Sequence, residues 1–182
     1  MKRNEEYLME IDLNELVKFV PRSEVKDFSL YPSVYRIVSE FKLKEVLELG
    51  TGLGESGLAF MSAGAKLTTV DFDKRASERA FTIYSYFGFT PYKIITADDR
   101  ISNFIEDRKW DAIFIDTSHM YEHTKLELEY CCTRTNCILM DDFWWGDETD
   151  RGVKGAVEDF LRSHPEWKSD KPEWSRVGIL SK

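Results

Sequence analysis

From Glu45 onward, short apolar runs alternate along the chain with longer amphipathic stretches. The runs are Val46–Leu49, Leu67–Val70, Tyr92–Ile95, Ala112–Ile115 and Ile138–Met140. All are short and rich in Val, Ile or Leu, the pattern of strands buried on both faces of a parallel sheet. The stretches Glu55–Ser62, Lys74–Phe87, Arg100–Asp107, Tyr121–Tyr130 and Arg151–Leu161 are predicted helices. Such alternation places helices on both sides of one sheet. The tail, Lys168–Ser181, reads as two strands around Pro172. Because no crossover helix joins them, they are expected to form an antiparallel end to the sheet. Ahead of the alternation, Glu5–Val20, closed by Pro21, and Ser33–Phe41, with Pro32 in its first turn, predict two helices.

No repeat, low-complexity tract or Gly/Pro-rich linker interrupts the 182 residues, so a single domain is expected, with residues 1–44 as a helical cap on the active-site side of a core at 45–182. The net charge of -8, with no basic run longer than two residues, argues against a nucleic-acid partner. No apolar stretch approaches the ~20 residues of a membrane helix. Basic Met1–Asn4 is followed by Glu5-Glu6 where a signal peptide would turn apolar, so a cytoplasmic protein is expected. Cys131, Cys132 and Cys137 are odd in number and form no C-x-x-C pair, which fits buried thiols in a reducing compartment.

The first predicted strand runs into glycines: Val46-Leu47-Glu48-Leu49-Gly50-Thr51-Gly52-Leu53-Gly54, with a helix after them. Such glycines let a backbone approach a ligand closely, and the helix N-terminus offers unpaired N–H groups. Asp71 closes the second strand, where an acid can accept hydrogen bonds from a ribose diol. The loop resembles the E-x-G-x-G-x-G motif of class I S-adenosylmethionine-dependent methyltransferases. Ala97-Asp98, after the third strand, resembles that family's third motif, whose acid lies near the adenine. The resemblance implies a Rossmann-like three-layer α/β sandwich with a seven-stranded, mostly parallel sheet. It also implies cofactor contacts from Glu48, Gly50, Thr51, Gly52, Gly54, Asp71, Asp98 and Asp116. Two other readings stay open. Gly52-Leu53-Gly54-Glu55-Ser56-Gly57 also matches the dinucleotide pattern G-x-G-x-x-G, which would make the chain an NAD(P)-dependent oxidoreductase. A purely structural glycine turn is the third.

Strand four ends in Asp116-Thr117-Ser118-His119 and strand five in Asp141-Asp142. The C-terminal ends of neighbouring parallel strands share one crevice, so the three aspartates are expected to converge beside the glycine loop. Their mutual repulsion calls for a cation, and an all-oxygen set without cysteine points to Mg²⁺ or a similar hard ion. Each aspartate taken alone could equally be a helix N-cap. The stretch Trp110–Trp145 resembles cation-dependent O-methyltransferases of the catechol, caffeoyl-CoA and macrocin types. That resemblance implies Asp116, Asp141 and Asp142 as metal ligands and His119, three positions after the first of them, as general base. A structural role for His119, or a zinc pair with His123, is the competing reading; His164 is expected at the surface. Of Phe143, Trp144 and Trp145, at least one is expected to line an acceptor pocket. The function implied is methyl transfer from S-adenosylmethionine to a hydroxyl of a small molecule, by an enzyme with room to form a homo-oligomer. A non-catalytic S-adenosylmethionine-binding protein is the remaining alternative.

Overall fold

The computed structural model describes residues 11–12, 15, 18–19, 30–90, 92–98, 108–146 and 151–182. The five apolar runs are strands β1 (Glu45–Leu49), β2 (Lys66–Asp71), β3 (Tyr92–Thr96), β4 (Ala112–Ile115) and β5 (Cys137–Met140). Between and around them lie α1 (Leu30–Phe41), α2 (Glu55–Ser62), α3 (Lys74–Tyr86), α4 (Tyr121–Cys131) and α5 (Gly152–Ser163). The tail forms β6 (Lys168–Asp170) and β7 (Gly178–Ser181). The sheet order is β3-β2-β1-β4-β5-β7-β6; the first five strands are parallel, and β7 runs antiparallel to both β5 and β6. The predicted helices at 5–20 and 100–107 fall mainly or wholly outside the described residues.

Period-two alternation sorts the strand residues onto two apolar cores. Val46, Leu67, Ala112, Phe114, Leu139 and Ile179 point to one face, where they meet α1, α2 and α3. Leu47, Leu49, Ile113, Ile115, Ile138 and Leu180 point to the other, where they meet α4 and α5. Burial of every residue of β4 and β5 explains why these two strands show no polar alternation in the sequence. Helix α3 is started by Asp73, whose carboxylate accepts from the Arg75 N–H at 2.9 Å.

Of the expected N-terminal cap, only α1 and a few earlier residues are among those described. Helix α1 buries Leu30, Val34, Ile37 and Val38 in the same core as α2, and so belongs to the helical layer of the sandwich. Only its first turn reaches the loop end of the sheet, where the Tyr31 N–H donates to Glu55 Oε1 at 2.7 Å. No helix among the described residues is long and apolar enough to cross a membrane.

Candidate active site

The strand order reverses between β1 and β4, and open α/β sheets bind ligands in the crevice at such a switch point. Gly50 leaves β1 with φ +93°, and a Cβ there would lie 1.8 Å from the Asp116 carbonyl oxygen. Only glycine fits both conditions, so the loop presses directly onto the end of β4. Asp71, at the end of β2, ties the loop down. Its Oδ2 accepts the N–H groups of Thr51 and Gly52, each at 3.0 Å, and its Oδ1 accepts that of Asp73 at 2.8 Å.

A cavity of about 690 Å³ opens over this loop, within the usual range for small-molecule sites. Gly50, Gly52, Asp71, Asp98 and Asp116, five of the cofactor contacts that the resemblance implies, line it. Phe72, Met120 and Leu126 add exposed apolar walls that sequence reasoning had not singled out. Three expected contacts lie off the wall. Thr51 turns its hydroxyl inward to Thr69 Oγ1 at 2.6 Å. Gly54 faces Ala80 and Tyr84 of α3. Glu48 is wholly buried under the loop, because even-numbered β1 positions face α2, where Ser56 Oγ donates to its carboxyl. Its Oε2 has no hydrogen-bond partner, and burial pushes its pKa up to about 8. Glu48 thus lies beneath the loop and off the cavity wall, where the resemblance implies a cofactor contact.

The dinucleotide pattern fares poorly in three dimensions. A pyrophosphate needs the open N-terminus of the following helix. Here Glu55 in the first turn of α2 holds a buried carboxylate. Gly57, the third glycine of that pattern, packs on Tyr84, whose hydroxyl would lie 2.0 Å from an added Cβ.

Beside the cavity the three aspartates do converge. The Asp116 N–H donates to Leu49 O at 2.8 Å and that of Asp141 to Ile115 O at 3.1 Å, which sets the ends of β1, β4 and β5 side by side. Burial first, then the charges of Asp141 and Asp142, push the Asp116 pKa up to about 7, against the pull of His119 and Arg176. Asp142 has φ +46°, a left-handed conformation that aspartate tolerates better than most residues. Its Oδ2 lies 3.0 Å from His119 Nε2 as an ion-pair contact whose angle falls outside that of a directed hydrogen bond. The pairing raises the His119 pKa and lowers that of Asp142.

The cation that balances this cluster is Arg176, which sequence reasoning missed. Its Nε donates to Asp141 Oδ1 and its Nη2 to Asp141 Oδ2, both at 2.8 Å, and Nη2 lies 3.8 Å from Asp142 Oδ1. A divalent ion would need three ligand atoms brought close together. Among the described residues Asp116, Asp141 and Asp142 do not bring three within 4.8 Å of one another, and both oxygens of Asp141 are engaged by the guanidinium. The expected Mg²⁺ cage therefore does not fit this arrangement. The sequence argument required a cation but could not tell a bound ion from an arginine 35 residues further on.

The other expectations divide. His123 bonds Ser118 Oγ through Nδ1 at 2.6 Å, faces Glu127 with Nε2 at 3.8 Å and lines the cavity. His164 is not a free surface residue, since its ring stacks on Phe160 with centroids 4.4 Å apart. With Glu129 and Cys132 it forms the described cluster whose ligand atoms do approach within 4.8 Å, at the C-terminal ends of α4 and α5. Phe143 enters the core, whereas Trp144 and Trp145 stay half exposed, with Trp145 centred 5.5 Å from the His119 ring. All three cysteines are free, and Cys131 and Cys137 are buried.

No protein-family model and no curated protein matches the chain. Solved structures do. An O-methyltransferase from Bacillus cereus, determined with S-adenosylhomocysteine, superposes with a TM-score of 0.75 at 14% identity, covering 97% of this chain and 94% of that one. A candidate caffeoyl-CoA O-methyltransferase from Staphylococcus aureus gives 0.73 at 18% identity, with 94% and 91% covered. An O-methyltransferase of tomaymycin synthesis from Streptomyces achromogenes, determined with S-adenosylmethionine, gives 0.69 at 13% identity, with 98% and 90% covered. Together with the strand order, these matches show that the chain has the Rossmann-like fold of the S-adenosylmethionine-dependent O-methyltransferases.

Proposed function

We propose that the chain is an enzyme that transfers a methyl group from S-adenosylmethionine to a hydroxyl oxygen of a small molecule. The observation that carries this reading is the continuity of two sites. A cavity floored by the Gly50–Gly52 backbone and walled by Asp71 and Asp98 shares Asp116 with the cluster that holds His119. S-adenosylmethionine supplies a methyl group already activated on a sulfonium, so the protein's work is alignment and proton removal. Gly50 and Gly52 let the ligand lie against the backbone, Asp71 and Asp98 offer acceptors to hydroxyl and amino groups, and Phe72, Met120 and Leu126 exclude water. His119 holds Nε2 against Asp142, which leaves Nδ1 to take the proton from the acceptor hydroxyl. The acceptor would lie beside the His119 and Trp145 rings, which are in contact with centroids 5.5 Å apart. The structures determined with S-adenosylhomocysteine or S-adenosylmethionine support the choice of donor.

Calorimetry on the purified protein with S-adenosylhomocysteine and with NAD tests the donor. Saturable heat from the former alone is expected; tight NAD binding without it would end the proposal. Mass spectrometry of methylated products from a library of small hydroxylated molecules then tests the acceptor class, and amines or thiols methylated in place of hydroxyls would overturn that part.

A further inference from the structure

We propose that Arg176 is the fixed cation of the acceptor side, seated on Asp141 where the carboxylate pattern assigns a divalent ion, so that the site works with a charge supplied by the chain itself. The geometry is that of a two-point fork, with Nε on Oδ1 and Nη2 on Oδ2, each at 2.8 Å. A planar guanidinium matches a carboxylate this way and carries its charge at every physiological pH. The Asp141 side chain is 3% exposed, so this pairing, and not water, satisfies it.

The arginine is placed by the backbone as well as by its charge. Its N–H donates to Ser33 Oγ of α1 at 3.1 Å. On either side of it, Ser175 Oγ donates to Val177 O at 3.0 Å and accepts the Val177 N–H at 2.9 Å, closing a tight turn into β7. A hard ion at coordination distance from Asp141, about 2.0–2.1 Å for Mg²⁺, would stand next to this guanidinium and be repelled by it. It would find Asp142 already facing His119. Two of the five guanidinium N–H donors serve Asp141, and the others can stabilise negative charge on an acceptor oxygen as its proton leaves. That catalytic part rests on the methyl-transfer reading; the occupation of Asp141 does not.

The test is manganese uptake, followed by the electron paramagnetic resonance signal of the free ion, in the full-length protein with and without S-adenosylhomocysteine. The quantity read is the uptake that depends on Asp141, taken as the difference between a protein and its Asp141→Asn counterpart. The wild-type protein is expected to show none at sub-millimolar manganese. Arg176→Gln, which removes the charge and frees the Asp141 carboxylate to turn toward Asp116 and Asp142, is expected to gain about one ion per chain. If Arg176→Gln does not fold, Arg176→Lys keeps the charge without the fork and is expected, like the wild type, to take up none. Asp141-dependent uptake by the wild-type protein or by Arg176→Lys overturns the proposal, and so does a folded Arg176→Gln that gains no ion. Calorimetry with S-adenosylhomocysteine on the same samples separates these outcomes from a failure of the methyl-transfer reading.

Discussion

The neutral glutamate under the glycine loop leaves a measurable mark on stability. Glu48 has no exposed surface, and its carboxyl is pushed from an ordinary 4.5 to about 8. In the unfolded chain it ionises near its ordinary value. Between the two, the native state therefore binds one proton more than the unfolded state, and stability falls as pH rises. Below 4.5 both states are protonated and the contribution is flat; above about 8 it is flat again, with the full loss in place. Within the window the slope is about 1.4 kcal/mol per pH unit, so from about pH 5.5 to about pH 7.5 the site costs roughly 3 kcal/mol. Glu48→Gln keeps the shape and an oxygen to accept from Ser56 but has no proton to lose. Urea melts of both proteins across that range should coincide most closely at the acid end. Toward pH 7.5 they should diverge, the variant gaining about 1.5 M in midpoint for a slope near 2 kcal/mol/M. Asp116 and His119 titrate in both proteins, so the difference isolates Glu48. Stability curves that stay parallel across the window would refute the argument, because they would mean that Glu48 is ionised in the native state.

Asp71→Ala should remove both the tether of the Thr51 and Gly52 N–H groups and a wall of the cavity, lowering S-adenosylhomocysteine affinity about ten- to a hundred-fold by calorimetry. Unchanged affinity would place the ligand elsewhere. Gly50→Ala forces a Cβ to 1.8 Å from the Asp116 carbonyl at φ +93°, so it should destabilise the fold by more than about 2 kcal/mol and lower Tm by several degrees; a wild-type melt would contradict the observed loop. His119→Ala should lower kcat about 10²–10⁴-fold with little change in donor affinity. Because Asp142 raises the His119 pKa, the wild-type rate should rise with pH through a titration above the ordinary imidazole value, which the variant lacks. A folded variant that keeps more than about a tenth of the rate rules out the base role.

The sheet was legible in the sequence because its central strands β1, β4 and β5 are almost wholly buried, which concentrates Val, Ile and Leu in short runs with sharp ends at Leu49, Ile115 and Met140. The loop-end aspartates were legible for the same reason, since parallel strands must deliver their C-terminal residues to one edge. What the sequence hid is a matter of direction. Glu48 and Leu49 are neighbours in the motif, yet alternation sends Glu48 under the loop toward α2 and Leu49 toward α4, so a motif position does not say which side of the sheet its side chain serves. The amphipathic stripe of α1 likewise announces that a face will be buried without naming its partner.

Arg176 shows the limit most clearly. Repulsion among Asp116, Asp141 and Asp142 obliges a cation to sit among them, and that much follows from spacing and Coulomb's law. Which cation does so is decided by β7 turning back antiparallel to β5, which sets Gly178 opposite Met140 at the end of that strand and brings Arg176, two residues earlier, onto Asp141. A return strand of four residues has too weak a pattern for its register to be read in advance. The charge pattern thus specified a need, and the topology supplied the group that meets it.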